Sequence, residues 1–233
     1  MEKPTQSAGE IPKPKKRKAQ YKEADLNLLF KVVRIAEYQT PLMKEWIAAQ
    51  APVLNAGEQY VFDRKLKQAI NEIDGWGEEE LKMNFISAVL DLGNMAGGGN
   101  IATFYDKTIS ATVEGTKLTV KPDFMMAKGF KNVLQNPYFH FHEYKPQINP
   151  TGEPMAQLLQ AFLIAQVTNN DGKPLYGAEV FGASWRFVIM EGKNYCVSRA
   201  FDSTDKDGLL HIIAMLRKFR HILETRLIGN DEL

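Results

Sequence analysis

The chain has one cysteine in 233 residues, Cys196. A single thiol excludes an internal disulfide framework and any zinc site built from several cysteines. It suits a reducing compartment, and the expected location is the cytoplasm. No apolar run reaches the roughly eighteen residues a membrane-spanning helix needs, and the first residues carry charge and proline instead of the apolar core of a secretory leader. No membrane partner is expected. There is no internal repeat and no Gly-x-x-x-x-Gly-Lys-Ser/Thr phosphate loop, which excludes a nucleotide-driven motor of that kind. A strong net charge is missing too: the formal value is +1. That balance hides a split. Residues 1–20 hold six Lys/Arg against two Glu, so the remaining chain is weakly acidic. Any polyanion must therefore be met by a local patch or by the tail.

Hydrophobic residues make up 44% of the chain, enough for one full core with a helical extension. Residues 1–20 are rich in Pro, Lys, Gly and Ser and are expected to be disordered. Their run Pro12-Lys-Pro-Lys-Lys-Arg-Lys18 resembles a nuclear localisation signal, but a solvated tail or one that lies against phosphates is the favoured reading. Residues 21–74 read as a helical N-terminal extension. Leu26, Leu29, Phe30, Val33 and Ala36 recur at helical spacing, then Leu42, Trp46 and Ile47, then Val61, Phe62, Leu66, Ile70 and Ile73. Residues 75–233 read as the main domain. A helix is expected over 78–92, then strands over 101–106, 108–113, 117–124 and 138–145. A helix follows from Met155 to Val167, then strands over 175–181, 185–190 and 195–200 and a last amphipathic helix over 208–228. This order indicates an α/β (α+β) domain with a mixed central sheet flanked by helices.

Two short pieces carry candidate chemistry: Pro122-Asp123 and, further on, Glu143-Tyr144-Lys145. Residues two apart in a strand share a face, so Glu143 and Lys145 project together and Tyr144 points away. Phe139 and Phe141 fall on the face of Glu143, which marks it as partly buried, and a buried Glu beside a Lys is costly unless something organises the pair. If the two strands are neighbours, Asp123 meets Glu143 beside an ammonium. Two carboxylates so placed can hold a hard divalent cation and activate water. The bland reading is a turn-capping Asp123 and a surface ion pair. On the 78–92 helix, a 100° wheel places Glu78 on the apolar stripe of Leu81, Phe85, Val89 and Leu92. Glu79 falls at its edge, above Met83, Ile86 and Leu90, and Glu80 on the far side. Glu78 or Glu79 is therefore the inward-facing acid, unless the three merely suit the helix dipole. His140 and His142 lie opposite Glu143 and Lys145 and are assigned a structural or solvent-facing role.

The order of elements, with Pro122-Asp123 and Glu143-Tyr144-Lys145 at strand ends, resembles the PD-(D/E)XK nuclease superfamily, whose fold is called restriction-endonuclease-like. Over about two thirds of its length the chain looks like uncharacterised bacterial relatives of type I restriction nuclease domains. The resemblance implies a Mg²⁺- or Mn²⁺-dependent endonuclease that hydrolyses DNA phosphodiester bonds. It implies Asp123, Glu143, Glu78 and the backbone carbonyl of Tyr144 as metal ligands, and Lys145 as the group that orients water or stabilises phosphate charge. Glu79 would be the alternative acid on the helix, and Gln157 would touch phosphate or support a carboxylate. A homodimer that cuts both strands is a further expectation, because members of the superfamily often dimerise. The alternative is a catalytically silent module of the same fold that binds nucleic acid or a protein.

Overall fold

The computed structural model describes residues 39–148 and 150–228, together with 26, 27, 29, 36 and 37. The basic tail and the helical positions Phe30 and Val33 lie outside the described residues. Leu26, Asn27 and Leu29 are helical as expected, but Ala36 is not. Ala36–Glu37 form a short strand, β1.

Two helices follow, α1 (Pro41–Ile47) and α2 (Ala56–Glu72). Thr40 caps the first, with Pro41 at its first turn, and Asn55 and Glu58 close a reciprocal capping box on the second. Helix α3 spans 78–92, with a widened π-helical stretch at Lys82–Ile86 between Glu78–Leu81 and Ser87–Leu92. Then come β2 (Ile101–Tyr105), β3 (Ile109–Val113), β4 (Thr116–Val120), β5 (Phe124–Phe130) and β6 (Val133–Lys145). Helix α4 (Pro154–Asn169) crosses over to β7 (Leu175–Phe181). The chain closes with β8 (Ser184–Glu191), β9 (Asn194–Val197), β10 (Phe201–Asp202) and α5 (Lys206–Ile222), which a π turn extends to Leu227.

The central sheet is mixed, in the order β1-β9-β8-β7-β6-β5-β2, with β10 beside β8. The β2-β5-β6 meander is antiparallel, and β6 runs parallel to β7. An α+β fold with a mixed sheet between helices is therefore observed. Its strand boundaries correct the sequence reading at the point that matters for the site. The expected strand over 117–124 breaks at Lys121-Pro122. Its first part, β4, pairs only with β3 in a separate two-stranded sheet. Asp123 instead leads into β5, a central strand not expected from the sequence, and β6 starts five residues before the expected 138.

The two sheet faces carry two cores. Helices α1, α2, α3 and α5 cover one, centred on Trp46, Phe85, Trp185 and Phe219. The Trp46 indole N–H donates to the Met215 carbonyl at 2.7 Å, fixing α1 against α5. Helix α4 covers the other face and is itself covered by the β3–β4 hairpin, so it is apolar on nearly every side. Gln160, buried on α4, donates to the Thr119 carbonyl of β4 at 2.7 Å, meeting the rule that buried polar groups find partners.

Candidate functional site

Strands β5 and β6 bring the two sequence pieces together. Phe124 pairs with His142 across the antiparallel ladder, so one step outward Asp123 stands opposite Glu143. The Tyr144 backbone N–H donates to Asp123 Oδ2 at 2.7 Å. The proline before Asp123 ends the preceding strand and lets the chain turn into β5. Asp123, Glu143 and Lys145 are all buried.

Helix α3 supplies the rest of the cluster. Glu78, in its first turn, accepts from Lys145 Nζ at 3.3 Å and from Lys82 Nζ at 2.8 Å. Lys82 also lies 2.7 Å from Asp123 Oδ1 and 3.5 Å from Glu79 Oε1. Of the two acids left open on this helix, Glu78 reaches the lysines of both α3 and β6, while Glu79 is solvent-exposed at the rim. Glu80 faces away and accepts the Gly77 N–H as a helix cap. The structure thus gathers Asp123, Glu143, Lys145, Glu78 and, at its edge, Glu79. Gln157 sits half-buried in the first turn of α4, with its backbone N–H on the Glu153 carbonyl.

Lys82 is the participant that sequence reasoning missed. The signal was present, since Glu78 and Lys82 are four apart on one helix, the spacing of a side-chain pair. The π-helical stretch begins at Lys82 and breaks the 100° phase on which the wheel depends. Glu179 was also missed. It stands beside Glu143 in the parallel β6–β7 register, is buried, and pairs with Arg186 across β7–β8.

Charge and burial set the protonation of these groups. Burial is the main force that pushes the Glu143 carboxyl well above the usual carboxylate range. Asp123 adds to it through its charge and a hydrogen bond, against an opposing pull from Lys145. Burial would also raise Glu78, but the ion pairs with Lys82 and Lys145 outweigh it and hold Glu78 low. Burial would depress Lys82, yet hydrogen bonds and charge from Asp123 and Glu78 win and raise it.

A cleft of about 320 Å³ opens beside the cluster, lined among others by Lys82, Asp123, Tyr144, Met83, Leu90 and Tyr105. Among the described residues, no group of three or more His, Cys, Asp and Glu side chains stands together as a metal-binding set, because Lys82 separates the carboxylates of Glu78 and Asp123. The pair Asp123 and Glu143 does suit a hard cation. Two carboxylates in hydrogen-bond contact need a shared proton or a positive charge, and Glu143 Oε1 is buried without a partner.

On the other side of β6, His140 and His142 are fully buried rather than solvent-facing. Their Nε2 atoms are 2.6 Å apart, and His142 Nδ1 is 2.8 Å from the Tyr144 hydroxyl. Burial keeps both imidazoles neutral, holding His142 down at about 3. A register shift between Met126 and Ala127 places Phe139 among the residues of the α5 side, so of the two aromatics expected beside Glu143 only Phe141 packs towards α4.

No protein-family profile matches the chain, and no curated protein matches it. Among solved structures, a chain of the assembly described as "cryoEM structure DrdV-DNA complex" is similar over 73% of this chain, with 14% identity and a TM-score of 0.39. This chain spans 15% of the length of that one. No helix among the described residues is long and apolar enough to cross a membrane.

Proposed function

We propose that the chain is a nuclease-like phosphodiesterase that acts on DNA with Mg²⁺ or Mn²⁺. The observation that carries this reading is the buried Glu143, whose Oε1 has no partner while its carboxyl meets Asp123. A structural glutamate has no need of that arrangement, which leaves a costly polar atom unpaired. The antiparallel meander followed by α4 and the parallel strand β7 also agrees with the element order of the PD-(D/E)XK superfamily that the sequence resembles. In this reading Asp123 and Glu143 hold the cation, and the Tyr144 N–H orients Asp123. Lys145, anchored by Glu78, faces the scissile phosphate, orients the attacking water and offsets charge. The cation would lower the pKa of water and polarise the phosphate. Metal-dependent cleavage of plasmid or single-stranded DNA should fall by at least about a hundredfold in both Asp123→Ala and Lys145→Ala. Cleavage that survives in both variants would refute the assignment.

One observation favours a second reading, a silent module of the same fold. Lys82 already supplies a positive charge between Glu78 and Asp123. If this internal cation replaces a metal, calorimetric titration with Mn²⁺ gives no binding in the native protein, and Lys82→Met creates binding. If the site is a metal site, the native protein binds Mn²⁺ and Lys82→Met binds it more tightly, because a competing charge has gone.

A further inference from the structure

The tip of the β5–β6 ribbon combines features that fold stability does not require. Phe130 and Val133 are cross-strand partners beside the turn and are 67% and 60% exposed. Lys131 occupies the turn, with its ammonium 5.2 Å from the Phe130 ring centroid. Lys107 reaches the same tip, donating to the Asn132 carbonyl at 3.1 Å. Among the described residues neither lysine has an ion pair with an acid. From residue 107 to 142 the chain carries five lysines and only two acids, Glu114 and Asp123, and none of the acids lies between 124 and 142. Glu114 is neutralised by Lys193 and Asp123 by Lys82, both from outside this segment, while of the five lysines Lys121 is itself paired with Asp106 at 3.1 Å. The body of the protein is weakly acidic, so this stretch is a local reversal of sign.

The backbone adds an independent point. Lys131 has φ 53°, in the left-handed region. Gly or Asn meets that requirement at a hairpin turn with far less strain than a long side chain. A lysine held there is better explained by what its charge meets than by the turn itself.

We propose that the β5–β6 ribbon is a DNA-docking element that enters the major groove of a duplex. Lys131 and Lys107 contact the flanking phosphates, and Phe130 with Val133 lies against base edges and thymine methyls. Beyond Gly129, where β2 no longer flanks β5, the tip is two-stranded and fits that groove in width, and its apolar pair between cations matches the groove's walls and floor. The choice of DNA as occupant rests on the nuclease reading of the Asp123–Glu143 site; the docking itself needs no catalysis.

The experiment measures fluorescence anisotropy of a fluorescein-labelled DNA duplex two helical turns long, titrated with the full chain in EDTA over a series of salt concentrations. Lys131→Gly relaxes the turn, so its thermal midpoint should stay level or rise. Its slope of log affinity against log salt should fall by about one in magnitude. Phe130→Ser should weaken binding about fivefold, and Lys206→Ala, an exposed lysine on α5, should change neither quantity. Equal binding by the native chain, Lys131→Gly and Phe130→Ser overturns the proposal and leaves the nuclease reading standing. Ribbon-dependent binding without any metal-dependent cleavage supports the proposal and removes the nuclease reading. A native chain that binds no duplex overturns the proposal. The same holds if it binds phosphatidylserine vesicles through Phe130 instead of DNA.

Discussion

Glu143 concentrates the energetic tension of the site in one side chain. Its folded-state pKa is raised, so its contribution to stability is complete below about 4.5 and is lost as pH rises from there through the folded value. Within that window the folded protein holds a buried proton, and above it a buried charge. Glu143→Gln removes the requirement. Its expected stability at neutral pH, without metal, is above that of the native chain, measured by urea unfolding. In the native chain a cation must displace the same proton, so Mn²⁺ affinity should increase with pH through this window while Glu143→Gln loses it. A native affinity that is flat with pH would show that Glu143 is already ionised. Tyr144 shows a subtler division of labour: its backbone N–H fixes Asp123, and its hydroxyl meets His142 on the opposite face.

At the scale of elements, the site depends on α4 lying close to β7 and β6. A Cβ at Gly177 would stand 2.5 Å from the Phe141 carbonyl and 2.9 Å from the Phe162 ring. Gly177→Ala should therefore destabilise the protein by about 1–3 kcal/mol, the cost of overpacking a filled interior, and lower its urea midpoint. An unchanged midpoint would mean that α4 can move without loss.

The same elements show what could be read from the sequence. Strand β6 was legible because Phe, Tyr and His alternate with a clear end at Pro146. Helix α4 was legible from its length and apolar density. Strand β5 was not, because Met125, Met126 and Ala127 are weak strand formers and Gly129 interrupts them. Only pairing on both sides, with β2 and β6, makes that segment a strand. The Asp123–Glu143 pairing was nevertheless anticipated, since the proline before Asp123 and the strand end at Lys145 survive the boundary error. Lys82 escaped because helical phase is legible only while the helix keeps its period.

For the whole molecule, the acid limb of stability belongs to His140 and His142. Their folded pKa values are depressed, so their contribution is fully present above about 6.5 and is lost as pH falls, when the unfolded chain takes up protons the folded one refuses. Each histidine contributes a slope of up to about 1.4 kcal/mol per pH unit. Glu143 and the similarly raised Glu179 act in the opposite direction from about 4.5 upward. Between about pH 4.5 and 6.5 the two histidines and the two carboxyls therefore oppose each other, and without metal the native stability should change little there. The variant carrying both His140→Phe and His142→Leu keeps only the carboxyl contribution, so its urea midpoint should fall as pH rises from about 5 to 7, more steeply than that of the native chain, whatever its absolute stability. A variant midpoint that follows pH as the native one does would locate the effect elsewhere.

The contacts of α1 have a consequence for how the molecule comes into being. Thr40 donates to Glu191, Trp46 to Met215, and Glu45 pairs with Arg226. These partners lie 151, 169 and 181 residues further along the chain. As the polypeptide leaves the ribosome, α1 must wait, with Trp46 and Met43 uncovered, until those residues have followed. The meander and the Asp123–Glu143 pair can assemble long before, because their partners are near in sequence. Nascent chains stalled before α5 should therefore carry an ordered centre with Trp46 and Met43 uncovered, and the arrival of α5 covers them.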